Sequence, residues 1–269
     1  MSDSDESIIN TNNTNLESIP KIVFIVPYRD REIQKNFFIR HMNYILEDIP
    51  KDDYKIFFSE QCDNRDFNRG AMKNIGFLAI KNKYPNHYKN ITFVFNDVDT
   101  MPFNKNLFNY QTTENNVKHF YGYNYTLGGI ISIIGSDFEK ILGFPNLWTW
   151  GYEDNSLQYR VIKNNINIDR SNHYKILCKE IIQLTDDFHK IVNRNEFERY
   201  MENKEDGIHT IYSLDYNIDE INQTIYVKTF EIPYTNNKST NSLFNIASNT
   251  NIPFKYTKNK KNTMSMIFK

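Results

Sequence analysis

The first strong pattern along the chain is a continuous apolar run in KIVFIVPY, Lys21 to Tyr28, ended by Pro27. A run without polar alternation predicts a strand buried on both faces of a sheet. Phe38, Met42, Ile45, Leu46 and Ile49 then recur at helical spacing, with Pro50 as the stop. YKIFFSE (Tyr54 to Glu60) predicts a second strand, Asn68 to Tyr84 a second helix with Met72, Ile75, Leu78 and Ala79 on one face, and ITFVFND (Ile91 to Asp97) a third strand. GGIISIIG predicts a fourth strand, Ser136 to Leu142 a short helix capped by Ser136, and Glu153 to Lys163 another helix. The alternation of strand and helix in the first hundred residues calls for an α/β fold, a twisted, mostly parallel central sheet flanked by helices.

The polar ends of the chain bound this domain. Residues 1–19 are Ser, Asp, Asn and Thr with scattered Ile and read as a flexible leader, 20–235 as the domain, and 236–269 as a polar C-terminal appendage that packs on it or trails from it. No internal repeat, GxGxxG or GxxxxGK[ST] phosphate loop is present.

Composition narrows the function. Lys+Arg (32) and Asp+Glu (33) leave a net charge of -1, without the basic excess of a protein that holds nucleic acid through its phosphates. No nucleic-acid partner is expected. No apolar run approaches the ~20 residues of a membrane helix, and the start MSDSDES is acidic, unlike a signal peptide. A soluble, cytoplasmic protein with no membrane segment is the expectation. Cys62 and Cys178 sit in no metal-binding spacing. The chain holds 38 Asn and 34 Ile but only 3 Ala, the mark of an AT-rich coding genome, so single Asn residues carry little weight as functional signals.

Parallel sheets bind ligands at the carboxyl ends of their strands. The segments there are PYRDR, EQCDNRDFNR and NDVDTMP, each charged. Asp97 and Asp99 at i and i+2 on an extended backbone would face one ligand, and a hard divalent cation bridging to a diphosphate would neutralise them; the alternative is an acidic strand end in a solvated turn. Arg29 and Arg31 open a helix where an anion could sit, or they pair with Asp30 and Glu32. Phe67 and Arg69 offer a ring and a guanidinium; the alternative makes Asn68 a helix cap and Phe67 a packing staple. GFPNLWTWGYED gathers both tryptophans beside Glu153-Asp154. Flat rings suit a sugar face and a carboxylate can accept a hydroxyl proton, or else the rings are core and the acids favour the first helical turn.

Taken in order, VPYRDR, DFNRGAMKNIGF, FNDVDTMP, the Gly128-Gly129 strand and GFPNLWTWGYEDNSLQYRV resemble the beta-1,4-galactosyltransferase family, nearest its xylose-acceptor members, from about Lys21 to about Asn217. The resemblance implies a GT-A fold, a UDP-sugar donor, manganese (Mn2+) and inverting transfer to a glycan or glycoprotein acceptor. Pro27, Arg29, Arg31, Phe67 and Arg69 match the nucleotide-binding motifs. Asp99 matches the metal-binding carboxylate, Asp97 the one that contacts the donor, and Val98 lies between them. Trp150 and Gly151 match the segment that closes over donor and acceptor, Asp154 the catalytic base and Glu153 its neighbour.

Departures from the family pattern matter too. The Met-x-x-His that completes the family's metal site is missing; IIQLTDDFHK stands there, with His189 the best replacement and Asp186 or Asp187 the substitutes. Asn155 replaces the family's third acid, and Tyr152 the Gly before the Glu, which leaves the acceptor open. Thr126 stands where galactose-using members carry Tyr, so UDP-GalNAc is an alternative donor to UDP-galactose. A UDP-sugar- or carbohydrate-binding module without catalysis, or a nucleotidyltransferase, are the rival functions. The base composition and the lack of an anchor fit a large DNA virus or a protist.

Overall fold

In the computed structural model, which describes residues 18–185, 188–202, 206–235 and 237–247, the opening apolar run is β1 (Ile22–Tyr28), buried at every position. Its alternate side chains feed two cores, Ile25 on one face of the sheet and Phe24 and Val26 on the other. The chain continues through α1 (Glu32–Ile45), β2 (Tyr54–Gln61), α2 (Arg69–Lys83), β3 (Thr92–Asn96) and the short β4 (Thr100–Pro102). After these come β5 (Asn116–Gly122), β6 (Ile130–Ile134), α3 (Gly135–Lys140) and α4 (Glu153–Lys163). The remainder is β7 (Asn167–Asp169), β8 (Tyr174–Lys175), β9 (Ile181–Gln183), β10 (His189–Asn193), α5 (Arg194–Glu202), β11 (Tyr212–Asp219), β12 (Thr224–Glu231) and β13 (Asn241–Asn245).

The central sheet runs β11-β12-β2-β1-β3-β6-β5-β7, with β8 also on β5. β1 is parallel to β2 and β3, β12 to β2, and β7 and β8 to β5. β6 is antiparallel to β3 and β5, and β11 to β12. The sheet is therefore mostly parallel, as the strand-helix alternation predicts. β4 pairs with β9, and β10 with β13. Among the described residues no helix is long and apolar enough to cross a membrane.

Two local expectations are corrected. Ser136 does not cap α3: the helix starts at Gly135, with Ile134 in the cap position and no side-chain cap bond. Gly135 lies against the Tyr88 carbonyl, where a Cβ would overlap it, so the chain turns into the helix directly out of β6. Asp97 and Asp99 do not lie on an extended strand, because β3 ends at Asn96. The buried Asn96 amide donates to the carbonyls of Asp97 (2.7 Å) and Thr100 (2.8 Å), and the Thr100 N–H bonds the Asp97 carbonyl at 3.2 Å. A tight turn, not strand alternation, presents the two carboxylates.

Candidate active site

The carboxyl ends of β1, β2 and β3 open on one cleft of about 280 Å³. Its walls include Pro27, Arg29 and Arg31 after β1, Phe67 and Arg69 before and at the start of α2, and Asp97, Val98 and Asp99 after β3. Trp150, Glu153, His189 and Lys190 complete the lining. Segments far apart in sequence thus meet where the topology places a ligand.

Each side chain is held by its neighbours. Arg29 donates to the Arg65 carbonyl at 2.6 Å and lies 5.6 Å from the Phe67 ring centroid. Asn68 does cap α2, accepting from the Ala71 N–H at 2.9 Å, while its own N–H donates to the Gln61 side chain at 2.8 Å. That cap fixes the helix start, so Arg69 projects into the cleft and Lys73 follows one turn later. Gly70 allows the close approach of α2 to the Pro145 carbonyl, which a Cβ would overlap.

Charge alternates across the cleft floor. Arg31 reaches Asp99 Oδ2 at 3.1 Å, and Arg69 reaches Asp97 Oδ2 at 3.2 Å and Glu153 Oε1 at 3.7 Å. Burial works against the Arg69 charge, but Asp97, Glu153, Asp154 and Asp99 together outweigh it and raise its pKa. Burial would also raise Asp97, yet Arg69, Lys73 and Arg31 hold its carboxyl below the ordinary range. Asp99 goes the other way, raised by burial and by Asp97 against the pull of Arg69 and Arg31.

Asp154 stands in the first turn of α4, beside the cleft wall. Its backbone carbonyl accepts from the Leu127 N–H at 3.1 Å, stitching the helix start to the segment before Gly128-Gly129. A Cβ on Gly128 would overlap Asp154 Oδ2, so only glycine leaves the carboxylate in place. Burial, with Glu153 and Asp97 adding to it and Lys73 and Arg69 opposing, pushes the Asp154 pKa up to about 6. That value suits a group that must take up a proton near neutral pH.

The tryptophans part company. Trp148 is buried, stacked on Phe230 with centroids 5.6 Å apart, and its indole N–H donates to the Tyr234 carbonyl at 2.9 Å. Trp150 is half-buried and lines the cleft, its N–H bonded to the Ile191 carbonyl of β10 at 2.8 Å. Glu196 of α5 holds the intervening chain by accepting from the Trp148 N–H, the Thr149 N–H and the Thr149 hydroxyl. Gly151 (φ 112°) and Tyr152 (φ 69°) then turn the chain into α4, and the Gly151 N–H donates to Glu153 Oε2 at 3.1 Å.

Of the residues expected from sequence, Thr126, Gly151 and Asp154 are not among those that line the cleft, and Asp154 stands directly after the lining Glu153. Thr126 is buried in the turn before Gly128, its carbonyl accepting from Arg170 at 3.1 Å. His189 does line the cleft, as Asp99 does. Asp186 and Asp187 lie outside the described residues. Asp99 and His189 put an oxygen and a nitrogen donor on one cavity, a donor set that fits a divalent cation. Among the described residues no three His, Cys, Asp or Glu side chains group as a complete metal cage. Sequence reasoning missed Lys73, which faces both Asp97 and Asp154.

Known proteins match the chain along this region. The model for the N-terminal region of glycosyl transferase group 7 matches residues 10–111, and that for the N-terminal domain of galactosyltransferase matches 109–184. Beta-1,4-galactosyltransferase 4 of Cricetulus griseus is 30% identical over 168 residues, 58% of this chain and 46% of that protein. Human beta-1,4-galactosyltransferase 1 is 28% identical over 207 residues, 71% of this chain and 50% of that protein. The chain spans about half the length of the curated relatives it matches. Among solved structures, the catalytic domain of Drosophila beta-1,4-galactosyltransferase 7 with xylobiose superposes with a TM-score of 0.61 at 21% identity, covering 82% of this chain and 98% of that one. A mutant of the same Drosophila protein in complex with manganese, UDP-Gal and xylobiose gives a TM-score of 0.57 at 19% identity, with the same coverage. The shared fold is GT-A.

Proposed function

The chain belongs to glycosyl transferase group 7, and on that premise we propose that it transfers galactose from UDP-galactose to a sugar hydroxyl, inverting the anomeric carbon, with Asp154 as the base. The observation that carries this reading is the placing of Asp154, its pKa pushed up to about 6, directly after Glu153, which lines a cleft together with Arg29, Arg31 and Arg69.

In this mechanism Arg29, Arg31 and Phe67 bind the nucleotide, and Trp150 covers the sugar. The acceptor oxygen attacks the anomeric carbon as its proton passes to Asp154, and the bond from that carbon to the UDP oxygen breaks on the opposite side. Arg31 and Arg69 meet the negative charge that develops on the departing diphosphate. Asp99 and His189 would hold manganese, which when bound supplies Lewis-acid stabilisation of that same charge. A single displacement needs no protein nucleophile, so no second carboxylate is asked to form a covalent intermediate. The manganese and UDP-Gal bound by the Drosophila relative support the donor and metal assignments. UDP-GalNAc is the alternative donor, from Thr126 in the turn beside Gly128.

Asp154→Asn tests the base. It should abolish transfer while leaving UDP binding nearly intact, and wild-type transfer in that variant removes Asp154 from the role. Thermal shifts with UDP-Gal, UDP-GalNAc, UDP-Glc and UDP-GlcNAc in the presence of manganese sort the donors, and an unchanged melting temperature with all four counts against the donor site. Asn155 and the missing Met-x-x-His motivate one rival, a UDP-sugar-binding module without turnover. Metal-independent UDP binding in calorimetry, with no hydrolysis of UDP-sugar, would support that rival.

A further inference from the structure

Lys73 is 2% exposed, and the mechanism above gives it no part. Its ammonium lies 3.7 Å from Asp97 Oδ1 and 3.6 Å from Asp154 Oδ1, with the Phe144 ring centroid 4.5 Å away. Both of those carboxylate oxygens are buried and accept no hydrogen bond. A buried ammonium is costly unless it is paired, and here the pairing joins two segments of the site, the turn after β3 and the start of α4. We propose that Lys73 is a positioning residue, an internal counterion behind the cleft that holds the Asp154 and Asp97 carboxylates at fixed separation and aims Asp154 at the acceptor hydroxyl.

The inference rests on Asp154 being the base. Lys73 and Arg69 face Asp154 from α2, Glu153 from α4 and Asp97 from the turn after β3, so the carboxylate meets two cations and two like charges. Lys73 is the stronger of the two cations in its effect on Asp154. Arg69 is engaged with Asp97 and Glu153 through its own contacts. Without the Lys73 charge, Asp97 and Asp154 would face each other across its emptied place, and Asp154 would take up a proton at higher pH and turn away. Lys73 is too deeply buried to reach a nucleotide, which separates its role from that of Arg29 and Arg31 at the cleft surface. Gly128 leaves the room that Asp154 Oδ2 occupies, which a Cβ there would overlap.

The test does not depend on turnover. The protein is labelled with [13C]Asp, the Asp154 carboxyl signal is assigned by its loss in Asp154→Asn, and its titration is followed in the full chain without metal. Lys73→Gln and Lys73→Met should raise the Asp154 midpoint by about one pH unit or more, while Lys73→Arg, which keeps the charge, should leave it within about half a unit. Gln carries the comparison if Met does not fold. A Lys73 of purely structural importance would lower the melting temperature of the Gln variant and leave the midpoint in place, and that result overturns the proposal. UDP release from UDP-galactose with manganese gives the independent arm. An inactive Asp154→Asn with an unmoved Asp154 midpoint in Lys73→Gln rejects the role of Lys73 alone. An active Asp154→Asn rejects the base, and Lys73 with it.

Discussion

Gly128 and Asp154 approach so closely that a methyl group on the first would occupy the space of Oδ2 on the second. Neither residue is near the other in sequence; the Leu127 N–H bond to the Asp154 carbonyl brings the two segments together. Gly128→Ala is therefore expected to turn the Asp154 carboxylate aside and cost transfer about 100-fold, as a displacement of roughly 1 Å does in an oriented site. Initial rates should fall that far while UDP affinity, measured by calorimetry, stays within about threefold.

The environment of Asp154 favours its neutral form, so the base should cost the fold stability at the pH where it works. With a folded pKa near 6 against an ordinary value of 3.8, burial imposes no penalty below about pH 4, and stability is lost as pH rises through 6. Asp154→Asn is expected to be more stable than the parent at pH 7.5 by about 2–3 kcal/mol, and equal to it near pH 4. Denaturant unfolding at both pH values checks the sign. The same ionisation should give the transfer rate an acid limb near pH 6.

Arg69 carries two carboxylates on one guanidinium, and its removal leaves Asp97 and Glu153 with their charges facing inward. Arg69→Met should destabilise the protein by about 3 kcal/mol, read from denaturant midpoints, and should weaken UDP binding as well. Arg69→Lys is expected to recover little of either loss, because a single ammonium cannot reproduce the fork that spans both partners.

Chelation should abolish transfer, and added manganese should restore it. His189→Ala is expected to raise the manganese concentration for half-maximal activity by about 10-fold or more while leaving UDP binding without metal unchanged. A manganese requirement identical to that of the parent would remove His189 as a ligand.

Much of this geometry is written in local patterns. The run at β1 is apolar because both faces of that strand are covered, and α4 begins and ends where its charges and spacing predict, from Glu153 to Lys163. The Asp97 and Asp99 pair stands out as chemistry, but the turn that presents it depends on Asn96, and an Asn-rich composition hides one working amide among 38. Asn146 is obscured in the same way: its side chain donates to Asp206 at 2.8 Å and to the Gly207 carbonyl at 2.9 Å, fastening the segment before the tryptophans. Lys73 resembles a surface lysine because burial of a helical residue is decided by what packs on the helix. The β11 segment does show period-two alternation, Tyr212, Leu214, Tyr216 and Ile218, yet its place at the sheet edge depends on its neighbour β12 pairing with the distant β2.

The opposite settings of the two tryptophans give the protein an optical reporter of its own. Both indoles line the cleft, but Trp148, buried against Phe230, should emit at shorter wavelength than the half-buried Trp150. With no third indole in the chain, a change in intrinsic fluorescence on adding a nucleotide sugar comes from one of these two positions, and Trp150→Phe should remove its red-shifted part. The arrival of a ligand can thus be timed in the untagged protein, before any product forms.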